Sequence, residues 1–230
     1  MYLTNQWNRL RPFVIDYVRA SPATFTYLMI LLITTLVMIS SSDQVVSLLL
    51  QEHSTNLHEL VNNPGRVLVL SAFWAPNYEF LVWAVMFALV LAPAERWLGS
   101  SRFITVFAMG HVLATLGVAW GLWLAIHHGY ASHHLENTID VGVSYGFAAV
   151  AAVFSFRLPH RWRWWWITAL IAIAVGALVI GRSFTDAGHL LAVVIGFCCF
   201  PLTRDAGARA RTSSPIWSAR RADVSESAGE

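Results

Sequence analysis

Apolar stretches of roughly twenty residues recur along the chain, separated by short polar segments. A helix needs about twenty apolar residues to cross the hydrocarbon core of a bilayer, and only helices and closed barrels satisfy their backbone there. The pattern predicts an all-α membrane protein with six transmembrane helices, at about residues 24–42, 80–94, 103–126, 141–156, 164–182 and 187–201. The second run is short, and the apolar "RVLVLSAF" before it, Arg66 to Phe73, is read as dipping into the membrane. The connections are uneven. A long one, about Asp43 to Asn77, follows the first span; "ERWLGSSR", "HHGYASHHLENTI", "RLPHRWR" and "GRSFTD" join the others. Three regions result: an amphipathic cytoplasmic segment over 1–23, a membrane domain over 24–201, and a polar cytoplasmic tail over 202–230 whose Ser, Ala and Arg content predicts disorder.

Composition sharpens this. The chain is 57% hydrophobic and 12% charged, about half the charge of a soluble domain. All fifteen basic residues are Arg. With six spans, thirteen of them fall on the side of the termini and only Arg66 and Arg182 on the other. Positive residues favour the cytoplasmic side, so both termini are expected there. A net charge of +2 gives no basis for a nucleic-acid partner. The "RWRWWW" run, Arg161 to Trp166, reads as an interfacial anchor of Trp and Arg. Cys198 and Cys199 are adjacent, cannot staple distant segments, and read as inert core thiols. The first apolar run starts late, after an Arg-bearing stretch, so it reads as a retained span.

Ionisable groups inside spans are expensive and therefore candidates for function. They are few: Glu79, His111, Asp140, Asp186 and His189. No chain of acids accompanies His111, which argues against a proton-relay transporter. Ser144 lies about four residues into the fourth span and His189 about three into the sixth, entered from the same side. At a rise of 1.5 Å per residue both sit roughly 5 Å below one boundary. A hydroxyl and an imidazole at one depth meet the first requirement of a nucleophilic pair. Small residues supply the second, close helix approach: Gly142 and Gly146 on the fourth span, and Gly188, Ala192 and Gly196 on the sixth. A serine at such a contact also serves simply as a small residue. Asp140 and Asp186 read as helix caps; Asp186, three residues before His189, is alternatively an orienting partner. His127, His128, His133 and His134, with Glu136, form a loop cluster. It reads as solvated or pH-responsive, since a loop with a glycine and paired histidines does not fix a tetrahedral metal site. No metal is expected.

Three motifs then resemble those of the rhomboid family. "ERWLGSSRF", Glu95 to Phe103, is similar to the rhomboid signature E-R-x-x-G-S-x-x-F between the second and third spans. "GVSYG", Gly142 to Gly146, resembles G-x-S-G at the start of the fourth. "HLLAVVIG", His189 to Gly196, resembles H-x-x-G-x-x-x-G of the sixth, with Ala192 for the first glycine. "RVLVLSAFW" also resembles the segment entering the second span, and the resemblance covers about Arg66 to Pro201. It implies a rhomboid-like bundle and an intramembrane serine peptidase, with Ser144 as nucleophile and His189 as general base. Its substrates would be transmembrane proteins in the lipid bilayer, and it would need no cofactor. With the all-Arg usage, the resemblance points to a bacterial plasma membrane. Two departures stand out. The family's H-x-x-x-N at the second span, which helps hold the oxyanion, is absent from "NYEFLVWAV", Asn77 to Val85; one lost oxyanion donor costs about a hundred- to a thousandfold in rate. Tyr145 stands where a glycine should follow the serine. Its ring would block substrate, shift the helix, or donate to the oxyanion. These departures fit the alternative, a rhomboid-like pseudoprotease that binds transmembrane clients without cutting them.

Overall fold

The computed structural model describes residues 2–75, 79–137, 143–204 and 206. Among them every regular element is helical. Asn77, Asp140, Gly142 and the tail from residue 207 onward lie outside the described residues.

Helices α1 (Tyr2–Arg19) and α2 (Pro22–Ser40) follow one another, with Pro22 in the first turn of the second. The connection expected as a long loop is itself helical: α3 (Asp43–His53), α4 (Leu57–Asn62), α5 (Pro64–Leu70) and a 3-10 turn (Ser71–Phe73). Local signals build these pieces. The Asn56 side chain caps α4 by accepting from the Glu59 amide at 2.8 Å, and Pro64 opens α5, where its missing N–H costs nothing. Carbonyls of α5 and of the 3-10 turn then find side-chain donors on two neighbouring helices. The Tyr27 hydroxyl donates to the Ala72 carbonyl, Thr34 Oγ1 donates to that of Phe73 at 2.9 Å, and His111 Nε2 meets that of Leu68 at 2.8 Å. A carbonyl only accepts, so Nε2 carries the hydrogen. His111 is the twelfth residue of α7 (Ser100–His127), so α5 is held about 16 Å along that helix.

Helix α6 (Phe80–Leu98) starts at Glu79, whose Oε2 accepts from the Trp83 indole at 3.1 Å. It contains a π turn, Phe87–Leu91, in which the Ala92 amide reaches back to the Phe87 carbonyl. The next rung would need an N–H from residue 93, but that residue is proline. The Ala88 carbonyl takes the Tyr17 hydroxyl instead, at 2.6 Å, and the Ala92 carbonyl accepts from Ser21 Oγ at 3.1 Å. One turn on, the Arg96 guanidinium covers the Tyr17 ring at 5.3 Å. Glu95 completes this face. Its carboxylate, 1% exposed, accepts from the Ala23 amide (2.9 Å), the Thr24 amide (2.8 Å), Thr24 Oγ1 (2.7 Å) and Ser100 Oγ (2.6 Å). One side chain therefore serves the first turn of α2, whose amides have no partner within their own helix, and the start of α7. Gly99 joins α6 to α7 at φ +83°, a left-handed conformation that favours glycine.

Helices α2, α6, α7 and α9 (His160–Gly181) are long and apolar enough to cross a membrane. The fourth and sixth expected spans are the shorter α8 (Val143–Phe154) and α10 (Phe184–Cys198). Fifteen residues of α10 extend about 22 Å, less than the roughly 30 Å of a hydrocarbon core. Helix α8 lies at the centre, packed against α7 and α10; Tyr145, Ala149, Val150, Ala151, Ala152 and Val153 are fully buried. Helix α9 lies at the edge against α10 and buries only Ala174. Its apolar surface all round suits a helix facing lipid. In the "RWRWWW" run, Trp162, Trp164 and Trp165 are exposed, while the Trp166 indole turns inward to the Ala151 carbonyl at 2.9 Å.

Removing the Glu95 acceptor leaves buried amides and hydroxyls unsatisfied, at about 1–3 kcal/mol each. Glu95→Ala is therefore expected to cost about 3 kcal/mol or more, and Ser100→Ala about 1 kcal/mol. Thermal unfolding of the two variants in detergent checks the order.

Candidate functional site

The candidate residues sit near the starts of two packed helices. Ser144 and Tyr145 are the second and third residues of α8, and His189 is the sixth of α10. The two helix starts lie side by side, where Gly188 meets Tyr145.

Small residues decide how α8 is oriented. A Cβ on Gly110 of α7 would collide with Ala149, and one on Gly196 of α10 would collide with the Ala149 carbonyl. Ala149 is thus held between glycines on two sides. Tyr145 is one turn earlier on the same face. Its ring is fully buried and meets the His189 ring edge-on, with centroids 5.1 Å apart and planes at 69°. Its hydroxyl fills the place a Gly188 side chain would take. Ala192 completes this contact, buried with Tyr145 and Ala114. Gly146 turns elsewhere: it gives room to the Phe107 ring of α7.

Consecutive helical residues are rotated by about 100°. With Tyr145 directed at His189, Ser144 points off that line. It is half-buried, as is His189. Among the described residues no hydrogen bond joins Ser144 to His189. The structure therefore brings Tyr145, Gly188 and His189 together and leaves Ser144 beside them.

Asp186 is engaged in a capping box. Its Oδ2 accepts from Ser183 Oγ at 2.6 Å and from the Ser183 amide at 3.1 Å, while its own amide donates to Ser183 Oγ at 3.1 Å. This arrangement is a capping box at the start of α10. Gly181 leaves room for that carboxylate. The loop histidines do not converge: among the described residues no group of three or more His, Cys, Asp or Glu could hold a metal ion. His127 stacks on Trp123 with centroids 5.3 Å apart, and His128 Nδ1 lies 2.9 Å from the Leu124 carbonyl.

Residues 16–209 match the family of rhomboid-like proteins. The chain belongs to that family. No curated protein and no solved structure matches it. Within this rhomboid-like protein the signature "ERWLGSSRF" has a structural role in Glu95 and Gly99, which join α2, α6 and α7. Sequence reasoning singled out Tyr145 as the departure but did not place its ring on His189. It also passed over Gly110, whose only local signal is that it adjoins His111.

The two glycine contacts differ in what a methyl would strike. At Gly196 it meets backbone; at Gly188 it meets the Tyr145 phenol. Gly196→Ala is expected to destabilise by about 1–3 kcal/mol in either background. The cost of Gly188→Ala should be relieved by Tyr145→Ala, with a coupling of about 1 kcal/mol in a double-mutant cycle.

Proposed function

We propose that this rhomboid-like membrane protein binds transmembrane segments of other proteins without cleaving them, in a six-span arrangement with both termini in the cytoplasm. One observation carries the reading: Tyr145, not Ser144, occupies the face of His189. A serine becomes a nucleophile when a base accepts its proton along a hydrogen bond, and here the side chain packed against the His189 ring is the Tyr145 phenol. The lack of H-x-x-x-N adds to this, because a tetrahedral intermediate would lose side-chain donors worth about a hundredfold or more in rate. An apolar groove of about 570 Å³ between α2, α5 and α7, lined by residues such as Ile30, Val69, Phe103 and Ile104, offers a surface for an apolar segment.

The second reading, an intramembrane serine peptidase using Ser144 and His189, is favoured by the placement of both residues near helix starts at one end of the bundle. The two readings part in one experiment. The purified chain in detergent is exposed to a serine-directed fluorophosphonate and, separately, reconstituted with a single-span reporter. The expected result is no labelling and an intact reporter that co-purifies. Labelling lost in both Ser144→Ala and His189→Ala, with reporter cleavage, would establish the peptidase instead.

A further inference from the structure

Helix α1 is joined to the bundle along one edge and has two unlike faces. In its second half Phe13, Val14, Tyr17 and Val18 fall within one arc of about 140°. Arg11, Asp16 and Arg19 fall on the other side, with Ile15 as the apolar residue among them. Tyr17 docks the apolar arc on the bundle. Its hydroxyl donates to the Ala88 carbonyl, its ring meets that of Phe25 edge-on at 6.0 Å, and the Arg96 guanidinium covers it. Phe13 stacks on the Tyr17 ring with centroids 6.5 Å apart and is still 69% exposed; Val14 and Val18 are exposed as well.

Two observations say what covers these side chains. The first is depth. Ala88 lies ten residues before the end of α6, about 15 Å along that helix. The next residue, Leu89, is 67% exposed on a helix apolar enough to cross a membrane. Phe25 belongs to the first turn of α2, a second such helix. The apolar arc of α1 is therefore tied into the apolar zone of the bundle and is continuous with side chains that face lipid. The second is charge. Arg11 and Arg19 are exposed, and among the described residues neither forms an ion pair. With Arg96 beside Tyr17, three cations surround this short stretch against the single Asp16.

A helix that is apolar on one face and cationic on the other, and is tied to a lipid-facing surface, has the form of one lying in a bilayer boundary. We propose that α1 lies along the lipid–water boundary, with Phe13, Val14 and Val18 among the acyl chains, and that Arg11 and Arg19 hold the headgroups of anionic phospholipids. The reading of Tyr145 and His189 has no bearing on this.

The test uses the full chain reconstituted in phospholipid vesicles, with Cys198→Ala so that one added cysteine carries an environment-sensitive fluorophore; Cys199 is buried and stays. The cysteine is placed by Val14→Cys or by Asp16→Cys, positions about 160° apart on the helix. Each label is quenched in turn by iodide and by phosphatidylcholine or phosphatidylglycerol bearing a nitroxide on an acyl chain. The lipids should quench the label at residue 14, and iodide the label at residue 16. Phosphatidylglycerol should be enriched over phosphatidylcholine at residue 14 by about fivefold or more. Arg11→Gln with Arg19→Gln should abolish that enrichment, and Arg11→Lys with Arg19→Lys should keep it. Iodide reaching residue 14 as readily as residue 16 would overturn the proposal, because the arc would then face water. So would a label at residue 14 reached by neither iodide nor lipid, which would give the arc to a second copy of the chain or to another protein. Equal quenching by the two lipids, or an enrichment that survives in the glutamine pair, would overturn the assignment of anionic headgroups to Arg11 and Arg19.

Discussion

The position of Ala149 between two glycines is the constraint on which the site depends. Helices that meet through side chains have some freedom to rotate. A helix whose methyl and carbonyl lie against bare backbone on both sides has little. Gly110 and Gly196 hold α8 in this way, and the helical repeat then assigns every other residue its direction. Tyr145, one turn before Ala149, must look toward α10, where Gly188 admits its hydroxyl. Ser144 inherits a neighbouring direction. The relation of serine to histidine in this chain is thus a consequence of packing some distance below it.

The opposite face of the bundle is organised by backbone groups that lack partners. Pro93 removes one amide from α6, and the π turn before it shifts the ladder. The released Ala88 carbonyl binds Tyr17, so a helix outside the apolar spans is tied to one within them. Carbonyls of α5 and of the 3-10 turn after it bind Tyr27, Thr34 and His111 in the same manner. In an apolar surrounding such groups cannot turn to water. Each becomes a specific joint between helices.

Much of the architecture could be read from the chain because a bilayer imposes a length on apolar segments. The positions of α2, α6, α7 and α9 followed from that. The short α8 and α10 also lie close to the spans expected at 141–156 and 187–201; α10 begins three residues earlier, after its Ser183 cap. The helices α3 and α4 were missed: they are short, and the signal of α4 is a single cap, Asn56. The apolar run of α5 was noticed, but not its helical start at Pro64. At the site, counting residues from a boundary set Ser144 and His189 at one end. Rotation about the helix axis was not legible, since it depends on Gly110, in another helix and without any motif of its own. Glu95 stood in a recognisable string, yet most of its partners are the backbone amides of Ala23 and Thr24 and one hydroxyl, and amides leave no trace in a sequence.

Glu95 also links the beginning of the chain to something made much later. The amides of Ala23 and Thr24 precede their acceptor by 72 and 71 residues. During synthesis the first apolar helix emerges long before that carboxylate exists, and its leading turn must be served by water. Only when α6 has been delivered can the start of α2 leave the aqueous boundary and become enclosed. The join at Glu95 therefore closes late: the earliest part of the membrane domain to be made is among the last to have its backbone completed.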